Sequence, residues 1–161
     1  MTIASTGTDR RWPIRRTAIY LVIAAFGHLT WEVAQLPLYT IWSSGTARQI
    51  VVAVIHCTGG DVLISTATVL VAGIFAQLRG WHLFGARMLA TVIGLGIAYT
   101  ILSEWLNVGI WRSWSYSSAM PVLPWLGTGL SPVLQWLVVP GVALSITFRR
   151  GVILNSWSRR Q

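Results

Sequence analysis

A chain of 161 residues with 54% hydrophobic and only 10% charged residues is not composed for water, since a soluble domain carries about 25% charge. All twelve cationic residues are arginines, set against four acids, Asp9, Glu32, Asp61 and Glu104, for a formal charge of +8. The arginines flank apolar runs and form no stripe on a polar domain, which argues against a nucleic-acid partner and for anionic lipid headgroups. One cysteine, Cys57, excludes an internal disulfide and any CxxC redox or metal motif.

In chain order, residues 1–16 read as a short basic tail with Arg10, Arg11, Arg15 and Arg16. The first apolar run extends from Thr17 to about Tyr39. It is too long for a signal-peptide core and lacks a small-residue cleavage site, so it is expected to remain as a membrane helix. The second run spans Ile50 to about Gln77, the third Leu83 to about Leu106, and the fourth Leu130 to Phe148, with a basic tail over 149–161. Runs of about 20 apolar residues cross a hydrocarbon core of about 30 Å as helices. The runs are continuous rather than alternating, and four strands could not close a barrel. The expected fold is therefore all-α, a polytopic bundle of four transmembrane helices over 17–148.

Ten arginines lie in the two tails and the loop after the second run; only Arg48 and Arg112 lie on the other side. The positive-inside rule then places both termini in the cytoplasm, as for a multi-pass protein of the bacterial inner membrane, with 40–49 and 107–129 facing outward. The second outer segment is rich in Trp, Ser, Gly and Pro. Pro121 and Pro124 argue against a continuous helix there. Trp111, Trp114, Tyr116 and Trp125 suit either an interfacial aromatic belt or a cap over the bundle.

Three of the four acids fall inside the apolar runs. An ionisable group at membrane depth is expensive and marks a functional position by default. At about 1.5 Å per residue, Glu32, His56, Asp61, Glu104, Asn107 and Gln135 all fall in the outer half, with His28 one turn below Glu32. His28, Glu32 and Gln35 share a face of the first helix, and Thr100, Glu104 and Asn107 repeat that spacing on the third. His56 and Asp61, five residues apart, need not share a face. Gly59 and Gly60 are expected to let another backbone approach beside Asp61. The structural alternative is that these groups only pair with one another and fix helix packing. Low-dielectric surroundings favour the neutral form of a carboxylic acid, which can then donate a proton.

No Walker A loop, nucleophile elbow or HExxH motif occurs. Three histidines are too few for a histidine-rich di-iron oxygenase, and no metal or cofactor is read from the sequence; haem ligation by His28 and His56 is disfavoured by their different depths. The segments SEWLN, RSWSY, MPVLP and GTGLSPVLQW, within 104–140 and followed by Pro140, resemble carotenoid hydratases and small integral-membrane terpene cyclases. The four-helix size and intramembrane acids are also similar to emopamil-binding-type isomerases. That resemblance implies protonation of an alkene or epoxide by a carboxylic acid in an apolar cavity. Glu104 would be the acid, with Asp61 and Glu32 beside it, and Trp105 or Trp111 would stabilise a carbocation through the ring face. His28, His56, Asn107, Trp105, Trp111, Tyr116 and Gln135 would then line the site of a hydrophobic small-molecule substrate drawn from membrane lipid. A small transporter, channel or ligand-binding protein, or a structural subunit without chemistry, uses the same residues equally well.

Overall fold

The computed structural model describes residues 14–158, with side chains described through Thr147. Arg10, Arg11, Arg159 and Arg160 of the two expected tails lie outside the described residues. Four long helices form the bundle: α1 (Ile14–Gln35), α2 (Ala47–Leu78), α3 (Ala86–Glu104) and α4 (Leu130–Ser158). All four contain stretches long and apolar enough to cross a membrane, and the chain is a multi-pass membrane protein. Each packs against the next, and α4 closes the ring against α1. Large apolar side chains such as Val22, Phe26, Val51, Ile55, Leu63 and Leu137 point outward and exposed, a surface that only lipid can cover without an apolar penalty.

The helix ends depart from the sequence reading in three places. A 3₁₀ turn, Leu36–Leu38, extends α1, because Pro37 can occupy the first turn but cannot donate to the ladder. A π-helical turn, Trp105–Ile110, extends α3, so 107–110 are helical and not part of a cap. The fourth helix runs on to Ser158, ten residues beyond the expected end at Phe148. Arg149 and Arg150 did not stop it, since arginine is a good helix former. The longest element, α2, has 32 residues, about 48 Å of helix. Its start is fixed by a capping box in which Thr46 and Gln49 exchange hydrogen bonds. It is unbroken at Gly59–Gly60, and α4 is likewise unbroken at Pro140. Neither carries the interruption associated with midplane transport sites.

The two ends of the bundle are built differently. At the end carrying the α2–α3 turn, Tyr20, Ala24, Val69, Ala72, Phe84, Met88, Val92, Val139, Ala143 and Leu144 make a continuous apolar core. At the opposite end, α2 buries nothing from Ile55 to Ile64. The expected close approach at Gly59 and Gly60 is not made: a Cβ on either would meet open space. The glycines that do bring helices together are Gly96 and Gly27. A Cβ on Gly96 would lie 2.0 Å from Trp136 Cε3, and one on Gly27 2.8 Å from Val139 Cγ1. Glycine therefore seats α4 against both α3 and α1.

Residues 111–129 are fastened to the α1–α2 connection by backbone hydrogen bonds. Thr40 N–H donates to Ser115 O (3.0 Å), and Ser117 N–H to Leu38 O (2.9 Å). A second pairing within the segment, Leu123 N–H to Thr128 O (2.9 Å) and Leu130 N–H to Pro121 O (2.7 Å), folds it back onto the start of α4. The aromatics are not uniformly packed inward: Trp114 and Tyr116 are half-buried, Trp111 is exposed, and Trp125 is fully exposed.

These contacts give opposite expectations for two glycine substitutions. Gly96→Ala should destabilise the bundle by about 1–3 kcal/mol, because Trp136 must leave its seat. Gly59→Ala should be neutral or stabilising by up to about 1 kcal/mol, the helix-propensity gain in open space. Thermal unfolding in detergent micelles measures both, and an unchanged midpoint for Gly96→Ala would contradict the packing.

Candidate functional site

The site is set by the spacing of polar residues along each helix. His28, Glu32 and Gln35 lie along one side of α1, Asp61 and Ser65 are one turn apart on α2, and Glu104 closes α3. In α4, Gln135 stands next to Trp136, which packs on Gly96; that packing fixes where the Gln135 amide points.

The Gln135 amide is the hub. Its Nε2 lies 2.8 Å from Asp61 Oδ2, 3.0 Å from His28 Nδ1 and 3.2 Å from Glu32 Oε1. An amide nitrogen carries two protons and cannot serve three acceptors at once. Because an amide nitrogen does not accept, the third group must find a partner other than Gln135; His28 Nδ1 lies 3.5 Å from Asp61 Oδ2, in place for one such exchange. The Glu32 and Asp61 carboxyls are also within hydrogen-bonding reach of each other. Around this hub, Gln35 donates to Glu32 (2.9 Å), Ser131 donates to Gln35 Oε1 (2.8 Å), and the Trp31 indole donates to Ser131 (3.1 Å). His28 is fully buried, its Nε2 3.1 Å from Ser65 Oγ and its ring tilted against Trp136 with centroids 5.1 Å apart.

Glu104 is held separately. It is buried at the junction of the α- and π-helical turns of α3, and the Tyr116 hydroxyl donates to it. The same hydroxyl accepts from the Gly129 N–H at 2.8 Å. Burial, and then the Glu104 carboxyl, push the Tyr116 phenol well above its ordinary range, so it remains a neutral donor. The buried Trp114 indole N–H is within hydrogen-bonding reach of Glu104, but its geometry falls short of a formed bond.

Glu32, Asp61 and Glu104 line one cavity of about 400 Å³. His56, Asn107, Trp111 and Gln135 line it too, together with Tyr39, Cys57, Tyr99, Trp114 and Trp136; none of its lining residues is an arginine. The volume is within the range of small-molecule sites, about 300–1,000 Å³. Three residues expected on the wall are elsewhere. His28 sits behind Gln135 and Asp61, and with both ring nitrogens engaged by protein partners neither is free for an axial ligand. Trp105 is exposed; as the residue after Glu104 it lies about 100° further round the helix, off the face shared by Thr100, Glu104 and Asn107. Tyr116 stands behind Glu104 and touches the site through it.

Ser65, Trp114, Ser131 and Trp136 were missed by reasoning from charge and depth. They are neutral residues in apolar or loop sequence, and only the Gly96 seat and the partner side chains single them out. The chain matches no family model, no curated protein and no solved structure.

Replacing Tyr116 by Phe removes a donor from buried Glu104 and an acceptor from the Gly129 N–H. The expected cost is about 1–3 kcal/mol, the usual penalty for unsatisfied buried groups. Limited proteolysis from the loop-bearing face should then cut faster near Ser117 and Ser118 than in the parent protein, and an unchanged cleavage rate would detach Tyr116 from loop closure.

Proposed function

We propose that this membrane protein is an acid–base enzyme acting on an uncharged lipid or isoprenoid held in the cavity between its helices. The observation that carries the reading is the lining: three carboxyl groups from three helices on one largely apolar cavity, with no arginine beside them. Purely structural pairing would bury acids against amides and leave no space between them. Here Glu104 and the Glu32–Asp61 pair are separately held, by Tyr116 and by Gln135, and both face the same cavity.

Two carboxyl groups with different partners divide acid and base work. Glu104, backed by a neutral phenol, is assigned to deliver a proton to an alkene or to an oxygen of the substrate. The Glu32–Asp61 pair, with its shared donors, takes the compensating proton, so an isomerisation leaves the substrate with no net change in protons, and one proton passes back from the pair to Glu104 before the next turnover. Trp136 and Tyr99 present aromatic groups on the cavity wall, suited to a carbon centre that turns cationic during transfer. The resemblance of 104–140 to hydratases and cyclases agrees with this assignment for Glu104, whereas Trp105, outside the cavity, does not take the carbocation role.

The arginine distribution supports a cytoplasmic position for both termini, in a bacterial inner membrane, with the cavity in the outer half. Reporter fusions at the C-terminus and in the two outer loops measure this: cytoplasmic-type signal at the C-terminus and periplasmic-type signal at both loops are expected, and the reverse pattern would invert the assignment.

Glu104→Gln tests the chemistry. The amide preserves volume but cannot deliver the proton, so the variant should fold with a melting point near that of the parent and lose at least about 10²-fold in turnover, the scale of general acid catalysis. Mass spectrometry of lipid extracts from cells with the parent, the variant or neither protein gives the readout. A lipid or isoprenoid peak that changes with the parent and not with Glu104→Gln is the expected result. Identical extracts from all three would remove the enzymatic reading.

A further inference from the structure

The cavity is not sealed on all sides. The lining residues contributed by α1 and α4 are buried or half-buried, whereas His56 of α2 and Tyr99 of α3 are exposed. These two helices are neighbours that pack through the apolar core at the far end. Toward the loop-bearing end, α2 buries no residue over two and a half turns, and Gly60, in that stretch, both lines the cavity and has open space where a Cβ would stand. The seam between α2 and α3 is therefore open at membrane depth. A shallower groove, lined by His56, Cys57 and Trp114 and, at the start of α2, by Arg48 and Gln49, adjoins it on the α2 side; Arg48 does not reach the cavity itself.

Two further features bear on what passes through. Buried acids without a cation repel an anionic head, because nothing compensates its desolvation. The Trp114 indole N–H, buried on the cavity wall, reaches toward the Glu104 carboxyl without making a well-formed hydrogen bond to it. A donor left over next to a carboxyl group suits a neutral oxygen that accepts from the indole and donates to the acid; an ammonium head could not accept from it.

We infer that the α2–α3 seam is a lateral portal through which a single-chain amphiphile reaches the cavity from the bilayer, and that its head is an uncharged hydroxyl placed between Glu104 and Trp114. The apolar tail remains in the seam, against Tyr99 and Gly60. The inference rests on the reading that lipid is handled in this cavity, and it adds the route and the head-group chemistry.

The native Cys57, half-buried on the cavity wall, reports on access without any turnover. In proteoliposomes, a membrane-partitioning N-alkyl maleimide should label Cys57, and a sulfonated, water-soluble maleimide added outside should not. Gly60→Trp fills the portal and should slow labelling by at least about tenfold, equivalent to about 1.4 kcal/mol in the barrier. Gly59→Trp, one residue away and off the cavity wall, should leave the rate within about a factor of two. Oleyl alcohol should protect Cys57, whereas oleate and oleylamine of the same chain length should not. Ser103→Cys in a Cys57→Ala background repeats the measurement from the α3 side. Failure of the N-alkyl maleimide to label at either position, equal rates for the two glycine variants, or faster labelling by the sulfonated reagent overturns the portal. Protection by oleate or oleylamine equal to that by oleyl alcohol overturns the head-group assignment. If the acid–base reading fails, these rates stand unchanged; if the portal fails, the Glu104→Gln comparison still stands.

Discussion

Lipid offers no hydrogen bonds, and the half of this bundle that carries residues 111–129 is arranged around that constraint. Glu32 on α1, Asp61 on α2 and His28 on α1 would each be stranded in hydrocarbon, and one amide on α4 reaches all three. Its position follows from the next residue: Trp136 fills the space that Gly96 leaves open, and α4 can then present Gln135 inward at that level. The polar network thus depends on an apolar contact. Buried polar groups are secure only when their partners are positioned by packing, since a half-satisfied network is worse than none.

The bundle separates folding from whatever happens in the cavity. One end is filled by side chains from Tyr20 to Leu144 and has the composition of an ordinary hydrophobic core. The other keeps about 400 Å³ unfilled, spanned above by loop segments tied together through backbone hydrogen bonds and through Tyr116. Side-chain loss in the filled end removes packing, whereas changes near the cavity act on charge and access with little cost in packing. Such a division allows a small chain to retain buried acids without losing its fold.

The membrane helices were legible in the sequence because their signal is length and apolarity, which lipid enforces directly. The common depth of Glu32, Asp61 and Glu104 was legible for the same reason: rise per residue is fixed, and the three do line one cavity. Direction around each helix was harder to read. Trp105 adjoins Glu104 in sequence, but consecutive helix residues point about 100° apart, and Trp105 is exposed; adjacency along the chain is not a shared face. Gly59 and Gly60 looked like a packing motif and instead face open space, while Gly27 and Gly96, each alone in an apolar run, make the close contacts. A glycine states that a backbone can be approached, not that anything approaches it. The partnership of Tyr116 with Glu104 depends on how residues 111–129 fold back, which propinquity in sequence does not encode.

The length of α2 has a consequence for the surrounding bilayer. At about 48 Å it exceeds a hydrocarbon thickness of about 30 Å, whereas the span of the adjoining α3 with its π turn, 25 residues, comes to about 38 Å. Two adjoining elements so different in reach cannot both stand along the membrane normal with their apolar surfaces matched. Hydrophobic mismatch is relieved by tilt, and the longer helix must lean further. Leaning α2 away from α3 widens the side on which it buries nothing. Acyl-chain length thereby becomes a variable of this protein's geometry, with thinner bilayers favouring a more inclined α2 and thicker ones a more upright one.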